Sequence, residues 1–173
     1  MNDIQTDTLI IGCGIAGAAA ALRLSDDPNH HITLITRNAD VASSNSAWAQ
    51  GGIVTRGLED SPELLVEDIL NAGAGLSTVR AAQLLAEEGP RLVESVLVDR
   101  CGVRFDRNED DEFIYGLEAA HSTRRIIHVG DKTGEAIVRG MLATLATRPN
   151  VTLLANHTAV DLITFPHHSL EPL

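Results

Sequence analysis

Residues 8–17, TLIIGCGIAG, are the stretch that decides the fold. The first four residues are aliphatic or β-branched with little polar alternation, which is typical of a buried parallel strand. A GxGxxG pattern follows, and the alanine-rich run Ile15 to Leu24 favours a helix. The stretch therefore predicts a strand, a tight glycine turn and a helix in direct succession.

The glycine turn is typical of a site for a diphosphate. Gly12 permits the tight turn, Gly14 lets the backbone approach a ligand, and Gly17 lets the helix pack close to the strand. Ile15 and Ala16 open the helix, where free N–H groups and a partial positive charge attract an anion. The alternative is a glycine-rich turn that binds nothing.

The next strand completes half of a doubly wound fold. Ile32 to Thr36 is a second β-branched run, so residues 8–36 read as strand, turn, helix and strand. The acidic residue that commonly ends this strand to hold a ribose is replaced by Thr36 and Arg37. That replacement weakens a simple NAD-enzyme interpretation.

The remaining chain continues as one domain. A serine-, asparagine- and glycine-rich stretch predicts a structured loop, and later apolar patterns predict helices and strands. The predicted segments are a loop at 39–56, a helical block at 61–102 with helices starting at Ser61, Ser77 and Pro90, a helix at 133–147, strands at 151–155 and 159–164, and a tail at 166–173.

Composition excludes several classes of protein. With 173 residues, 44% hydrophobic and 21% charged, the chain suits one globular domain and not a disordered or membrane protein. Its net charge of −11 repels nucleic acid. Cys13 and Cys101 belong to no metal-ligand or disulfide pattern, so we predict no metal and a reducing cytoplasm.

Residues 46–53, SAWAQGGI, resemble the serine-rich Ala-Gln-Gly-Gly segment of the succinate dehydrogenase, fumarate reductase and L-aspartate oxidase flavoproteins. The likeness is strongest to the L-aspartate oxidases. In that family the segment lies along the flavin, and the second strand commonly ends in a pair such as Ser-Lys, so Thr36 and Arg37 fit it. For Trp48 both core packing and flavin contact stay open. The resemblance implies flavin contacts from Asn45, Ser46, Ala49, Gln50, Gly51 and Gly52.

Residues 118–128, EAAHSTRRIIH, resemble the substrate-side stretch of the aspartate oxidases, which usually reads Glu-Gly-Gly-His-Ser and then Arg-Arg-Ile and a histidine. The resemblance implies that Glu118 pairs with the substrate ammonium, that Arg125 is a second catalytic residue, and that His121 and Ser122 bind substrate. For the arginine pair at 124–125, a solvated surface cluster is the alternative. Alanines at 119 and 120 replace the usual glycines.

Two further positions bear on the cofactor. Residues 131–134, DKTG, resemble the family's Asp-x-Thr-Gly at a helix start, which adds Asp131 to the cofactor contacts and predicts Thr133 as a helix cap. Respiratory members carry a histidine that bonds covalently to the flavin, and Asn45 stands at that position here. An amide cannot form this bond, so the resemblance implies noncovalent FAD.

The implied fold is part of a Rossmann-like FAD-binding domain, with a parallel sheet, flanking helices, a helical insertion and residues 113–131 as a substrate-side loop. The implied activity is oxidation of L-aspartate to iminoaspartate, with oxygen or fumarate as acceptor. The pathway would be the quinolinate route of NAD biosynthesis, with quinolinate synthase as a candidate partner. A fumarate reductase or succinate dehydrogenase-like flavoprotein, and a non-catalytic FAD-binding module, remain the alternatives.

The family's capping domain has no counterpart in this sequence. That domain supplies arginines and histidines that hold the substrate carboxylates, and a later glycine-rich segment reaches the flavin. We therefore expect residues 1–165 to correspond to the N-terminal part of a longer enzyme. We also expect the isolated chain to keep the diphosphate site, to be inactive alone, and to self-associate through an uncovered sheet edge.

Overall fold

The structure is a computed structural model that describes residues 3–164, so the predicted tail at 166–173 lies outside it. Two sheets and four α-helices make up the described chain. The strands are β1 (Thr8–Ile11), β2 (Ile32–Ile35), β3 (Ile53–Val54), β4 (Ile126–Ile127) and β5 (Val151–Leu154), and the helices are α1 (Ile15–Leu24), α2 (Pro62–Ala72), α3 (Val79–Leu92) and α4 (Thr133–Ala146).

The main sheet is parallel, with the strand order β1-β2-β5. Its central strand β2 is buried along its whole length, which explains why its residues are aliphatic or β-branched. The helix α1 buries Ala18, Ala21 and Leu22, and the two small alanine side chains let it pack closely on the sheet and on α4. The predicted α/β class with a parallel sheet is confirmed.

The core lies between this sheet and the helices α1 and α4. The helix α4 buries seven of its residues, and the short strand β4 is buried at both positions. β4 pairs antiparallel with β3, in a second sheet. Within the described part of the chain, every helix is too short or too polar to cross a membrane.

The helical block differs from the prediction that a new helix begins at Pro90. The helix α3 starts after the cap Thr78 and runs through Pro90, and the chain then continues directly into a π-helical segment, Val93–Arg100. A proline removes the hydrogen bond to the carbonyl four residues earlier, here that of Ala86. The Arg56 guanidinium donates to this carbonyl oxygen at 2.6 Å, so the helix tolerates the proline.

The strand predicted at 159–164 is wrong, because none of the residues 155–164 belongs to a strand. After β5, the N–H groups of Asn156 and His157 donate to the carbonyl oxygens of Asn38 and Thr36 at 3.2 and 2.9 Å. These bonds hold the chain beside the end of β2. The apolar pattern that suggested a strand has no partner strand within the described residues.

Candidate functional site

The turn after β1 leaves a helix N-terminus open. Gly12 has φ of +107°, a conformation that glycine adopts readily. Gly14 is the N-cap of α1 in an extended conformation, with no side-chain cap. A Cβ atom on Gly17 would collide with the carbonyl oxygen of Gly12, so the close contact of helix and turn requires glycine. Such an uncapped helix start offers its free N–H groups to an anion, although the N–H of Ile15 already donates to the Ser46 hydroxyl.

The loop of residues 39–56 lies against this helix start. The N–H of Ile15 donates to the Ser46 hydroxyl at 3.3 Å, across 31 residues of sequence. Ser46 belongs to a 3₁₀ turn, Asn45–Trp48, which the Ser44 hydroxyl caps by accepting from the Ala47 N–H. The structure therefore brings the predicted flavin segment to the predicted diphosphate turn.

A cavity of about 530 Å³ opens at the carboxyl ends of the parallel strands, within the size range of small-molecule sites. Five predicted cofactor residues line it: Gly12, Gly14, Thr36, Arg37 and Asn45.

The cavity also has walls that the sequence did not indicate. His157, Thr158 and Ala159 line it because the chain leaves β5 at the same edge of the sheet. Their position follows from the strand order, which only the parallel pairing of β2 with β5 reveals. Trp48 lines the cavity and is 78% exposed, so core packing does not explain it.

A second depression, of about 370 Å³, adjoins the first through Ser43 and Trp48. Gln50 and Asp131 both line it, so these two predicted cofactor residues lie together. The start of α4 packs on the loop here, with the Gly134 N–H donating to the Ala49 carbonyl oxygen at 3.0 Å.

The predicted helix cap at Thr133 is wrong. Lys132 occupies the N-cap position of α4 and makes no side-chain cap. The Thr133 hydroxyl instead accepts a hydrogen bond from the Val129 N–H at 3.0 Å. Because the hydroxyl is buried and points back along the chain, it stabilises the preceding turn.

The predicted substrate acid meets the predicted flavin segment. The N–H of Gly52 donates to the Glu118 carboxylate at 3.3 Å, although 66 residues separate them. A Cβ atom on Gly51 would lie 3.7 Å from the same carboxylate oxygen, and one on Gly52 would collide with the Ile126 side chain. Glycine at both positions therefore allows the segment to pass between β4 and an exposed carboxylate.

Arg125 is fully buried, which the sequence did not indicate. Its Nε and Nη2 donate to the two carboxylate oxygens of Asp60 at 3.1 and 2.8 Å, and its Nη1 donates to Asp68. Nη1 also lies 3.2 Å from Nδ1 of His121. The guanidinium predicted to be catalytic is therefore enclosed by side chains of the same chain and lines neither depression.

Asp68 joins this ion pair to the substrate-side loop. Both the N–H and the hydroxyl of Ser122 donate to its Oδ2, at 2.9 and 3.0 Å. Burial raises the pKa of Asp68, but the hydrogen bonds from Ser122 and Arg125 outweigh burial and hold the pKa below its ordinary value. Asp68 is therefore charged at neutral pH, and His121 and Ser122 both contact the buried cluster.

Sequence reasoning missed Asp60 and Asp68. Asp68 follows Leu65 by three residues on α2, and both are buried on the same helix face. An acidic residue on an apolar helix face requires a cationic partner. That pattern was the available signal, although it did not identify Arg125 as the partner.

The described residues offer neither a metal site nor an activated thiol at Cys13. Among residues 3–164, no group of His, Cys, Asp or Glu side chains could hold a metal ion. Cys13 lies inside the glycine turn with 2% exposure, and burial raises the pKa of its thiol. Its thiol stays protonated and acts as a small core side chain.

Fold and site together define a dinucleotide-binding flavoprotein domain. The sequence model of the FAD binding domain family matches residues 7–168, and the chain belongs to that family. FAD is the cofactor of the family, and the residues present fit it: the glycine turn is open, and the cavity reaches from that turn past the ends of β1 and β2.

The chain is similar to L-aspartate oxidases of two organisms. It is 40% identical over 159 residues to that of Agrobacterium fabrum and 42% identical over 159 residues to that of Halobacterium salinarum. These matches cover 91% and 92% of this chain, and 30% of each relative. The chain thus spans about 30% of the length of these curated relatives.

Solved structures confirm the fold. Quinol fumarate reductase FrdA of E. coli matches 88% of this chain and 26% of its own, with a TM-score of 0.80 at 24% identity. A 3-ketosteroid dehydrogenase of Rhodococcus jostii matches 90% of this chain and 38% of its own, with a TM-score of 0.68 at 19% identity. At these identities the likeness concerns the fold alone.

Proposed function

We propose that this chain forms the FAD-binding part of an L-aspartate oxidase, an enzyme that converts L-aspartate to iminoaspartate. The observation that carries the proposal is the hydrogen bond between the Gly52 N–H and Glu118. It joins the segment expected along the flavin to the acid expected at the substrate. The identity of about 40% to L-aspartate oxidases supports the same activity.

Seven of the proposed cofactor contacts line the two depressions. The first turn of α1 would hold the diphosphate through its N–H groups, and the end of β2 would hold the adenosine side. FAD would supply the group that accepts a hydride, with its two electrons, from the Cα of the amino acid. The proposed contacts are Gly12, Gly14, Ile15, Ala16, Gly17, Thr36, Arg37, Asn45, Ser46, Ala49, Gln50, Gly51, Gly52 and Asp131, and the amide of Asn45 implies a noncovalent cofactor.

The proposed substrate contacts come from the loop that carries Glu118. Its exposed carboxylate would accept a hydrogen bond from the ammonium group of L-aspartate, a charge-assisted contact. His121 and Ser122 would complete this side of the site. Arg125 would act through them, since its own guanidinium is enclosed. We further propose that oxygen or fumarate accepts the electrons and that the enzyme acts in the cytoplasm. Its pathway would be the quinolinate route of NAD biosynthesis, with quinolinate synthase as a partner.

A titration of the purified chain with FAD tests the cofactor part. We expect binding that quenches the fluorescence of Trp48, because this single tryptophan lines the cavity. Failure of the chain to bind FAD contradicts the proposal.

The substrate part is tested with the FAD-loaded chain. We expect L-aspartate to perturb the flavin absorbance, and Glu118→Gln to remove that perturbation. Glu109→Gln, an exposed acid in the preceding loop, is the matched control and should behave like wild type. We expect peroxide production to stay far below ordinary turnover, of the order of 1 per second or more. A perturbation by succinate but not by L-aspartate would instead indicate a fumarate reductase-like protein.

A further inference from the structure

We propose that Asp60 and Asp68 are positioning residues, which act through the buried Arg125 to hold the loop of residues 118–122 so that Glu118 stays against Gly52. The inference rests on the proposed function for the role of Glu118. The cluster of Asp60, Asp68 and Arg125 is itself observed.

The three side chains form a buried unit of charges, and Arg56 at its rim lies 3.6 Å from Asp60. The side chains of Asp60 and Arg125 are fully buried, and that of Asp68 is 10% exposed. A buried guanidinium is stable only with its carboxylate partners in place, because an uncompensated charge in the interior is costly. Asp60 meets Arg125 in the bidentate geometry that fixes both position and orientation. Arg125 is therefore held in one place by two carboxylates from a different part of the chain.

The backbone on either side of the cluster is also fixed. The Thr55 N–H donates to the carbonyl oxygen of Arg125 at 2.9 Å. A Cβ atom on Gly57 would collide with the carbonyl oxygen of Arg124, so the segment before Asp60 packs directly on this backbone. These contacts make the segment of residues 55–60 a rigid support for the end of the loop.

Asp68 connects Arg125 to the loop of residues 118–122 by hydrogen bonds. It accepts two hydrogen bonds from Ser122, which lies four residues after Glu118. Between them, the His121 N–H donates to the Glu118 carbonyl oxygen at 3.2 Å, so the intervening turn is closed. No strand or helix includes residues 118–122. Without Asp68 the loop would keep its turn and the contact of His121 with Arg125 but lose its hydrogen bonds at Ser122, and the bond from the Gly52 N–H to Glu118 would open more often.

Neither aspartate lines the two depressions described above. Asp60 and Asp68 therefore act on Glu118 only through Arg125 and Ser122, which distinguishes them from residues that touch substrate. The bidentate face of Arg125 that could receive a substrate carboxylate is taken by Asp60.

Amide hydrogen exchange of the FAD-free chain tests the inference. We expect Asp68→Ala to speed exchange of the Ser122 and Gly52 amides by about tenfold or more, while amides of the central strand β2 keep their rates. Glu67→Ala, an exposed acid on the same helix, is the control and should leave all of these amides unchanged. Because Asp68→Ala can unfold the chain, Asp68→Asn, which keeps an acceptor oxygen for Ser122, is the second variant and should show a smaller local effect.

Two results would overturn the inference. One is faster exchange at Ser122 with no change at Gly52, because the position of Glu118 would then not depend on the hydrogen bonds between Asp68 and Ser122. The other is a uniform change across the sheet in both variants, which would indicate a role in stability alone.

A second measurement separates this inference from the proposed function. In the FAD-loaded chain, we expect Asp68→Asn to weaken the response to L-aspartate several-fold while the Kd for FAD is unchanged. A chain that binds no FAD contradicts the proposed function, but the hydrogen-exchange result on the FAD-free chain still tests the positioning role. An equal loss of FAD affinity and L-aspartate response would contradict the positioning role.

Discussion

At the residue scale, Ala120 occupies a backbone conformation that favours glycine. Its φ is +70°, within the loop that carries Glu118. A residue with a Cβ atom in the left-handed region is strained by about 1–2 kcal/mol. The L-aspartate oxidases that the sequence resembles usually have glycine here. The alanine therefore adds strain next to the proposed substrate acid.

We predict that Ala120→Gly raises the free energy of unfolding by about 1 kcal/mol, because relief of strain exceeds the extra entropy that glycine loses on folding. Urea denaturation measures the change. The matched control is Ala119→Gly. Because the φ of Ala119 is not in the left-handed region, its replacement by glycine should be neutral or destabilising. Equal effects of the two substitutions would show that the φ of Ala120 stores no strain.

Asp68 makes the stability of the fold depend on pH. Burial raises its pKa, and hydrogen bonds from Ser122 and Arg125 lower the pKa to a net value below the ordinary 3.8. Because the folded pKa is depressed, the carboxylate stabilises the fold above about 3.8 and loses this effect as pH falls through the folded pKa.

We therefore expect Asp68→Asn to lower the free energy of unfolding near neutral pH, and the difference from wild type to shrink below pH 3.8. Urea denaturation across this range is the measurement. Glu67→Gln on the same helix should show a much smaller difference at every pH, because Glu67 is exposed. A difference for Asp68→Asn that stays constant into strong acid would contradict the assignment.

At the element scale, the start of α4 and the 3₁₀ turn Asn45–Trp48 form one docked unit. The contact is close because Gly134 has no side chain: a Cβ atom there would collide with the carbonyl oxygen of Ser46 and lie 2.8 Å from that of Ala49. Neither backbone can yield without moving the turn. The position of the proposed flavin segment therefore depends on a glycine in a different element.

We predict that Gly134→Ala displaces this turn, lowers the free energy of unfolding by about 1–3 kcal/mol and weakens FAD binding. Denaturation and FAD titration followed by Trp48 fluorescence give the two values. Gly89→Ala is the control, because a Cβ atom there meets nothing within 4 Å and alanine favours the interior of α3. FAD affinity unchanged in Gly134→Ala would show that the turn does not contribute to the cofactor site.

At the scale of the whole molecule, the outer edge of the main sheet is uncovered. Among the described residues, β1 pairs with β2 on one side only, and its Leu9 and Ile11 are 50% and 67% exposed. A free strand edge with apolar side chains tends to pair with another chain. For the chain alone, the partner that is always available is a second copy of itself.

We expect the chain to self-associate as its concentration rises, and Ile11→Lys to shift it towards the monomer because a charge on an edge strand opposes pairing. Light scattering measures the molar mass. Leu76→Lys is the control, since Leu76 is 92% exposed but lies in the connection between α2 and α3, outside the main sheet. A monomer at every concentration, or the same shift in both variants, would contradict the prediction.

The sequence by itself determined the elements around the glycine turn. The strand, turn, helix and strand of residues 8–36 are where their patterns predict, because aliphatic runs, glycines and alanines act over a few neighbouring residues. The same local signals wrongly predicted a helix start at Pro90 and a strand at residues 159–164. Both outcomes depend on distant parts of the chain: Arg56 donates to the carbonyl oxygen that Pro90 leaves free, and within residues 3–164 no strand pairs with the apolar run.

Only the tertiary structure decided which charged residues face the cavity and which are enclosed. The resemblance predicts a catalytic role for Arg125, yet Asp60 and Asp68, more than 50 residues away, enclose its guanidinium. The Gly52 and Glu118 contact spans 66 residues and likewise follows from how β3 pairs with β4. Which residues pair across such distances is a property of the packed chain, and no pattern of neighbouring residues encodes it.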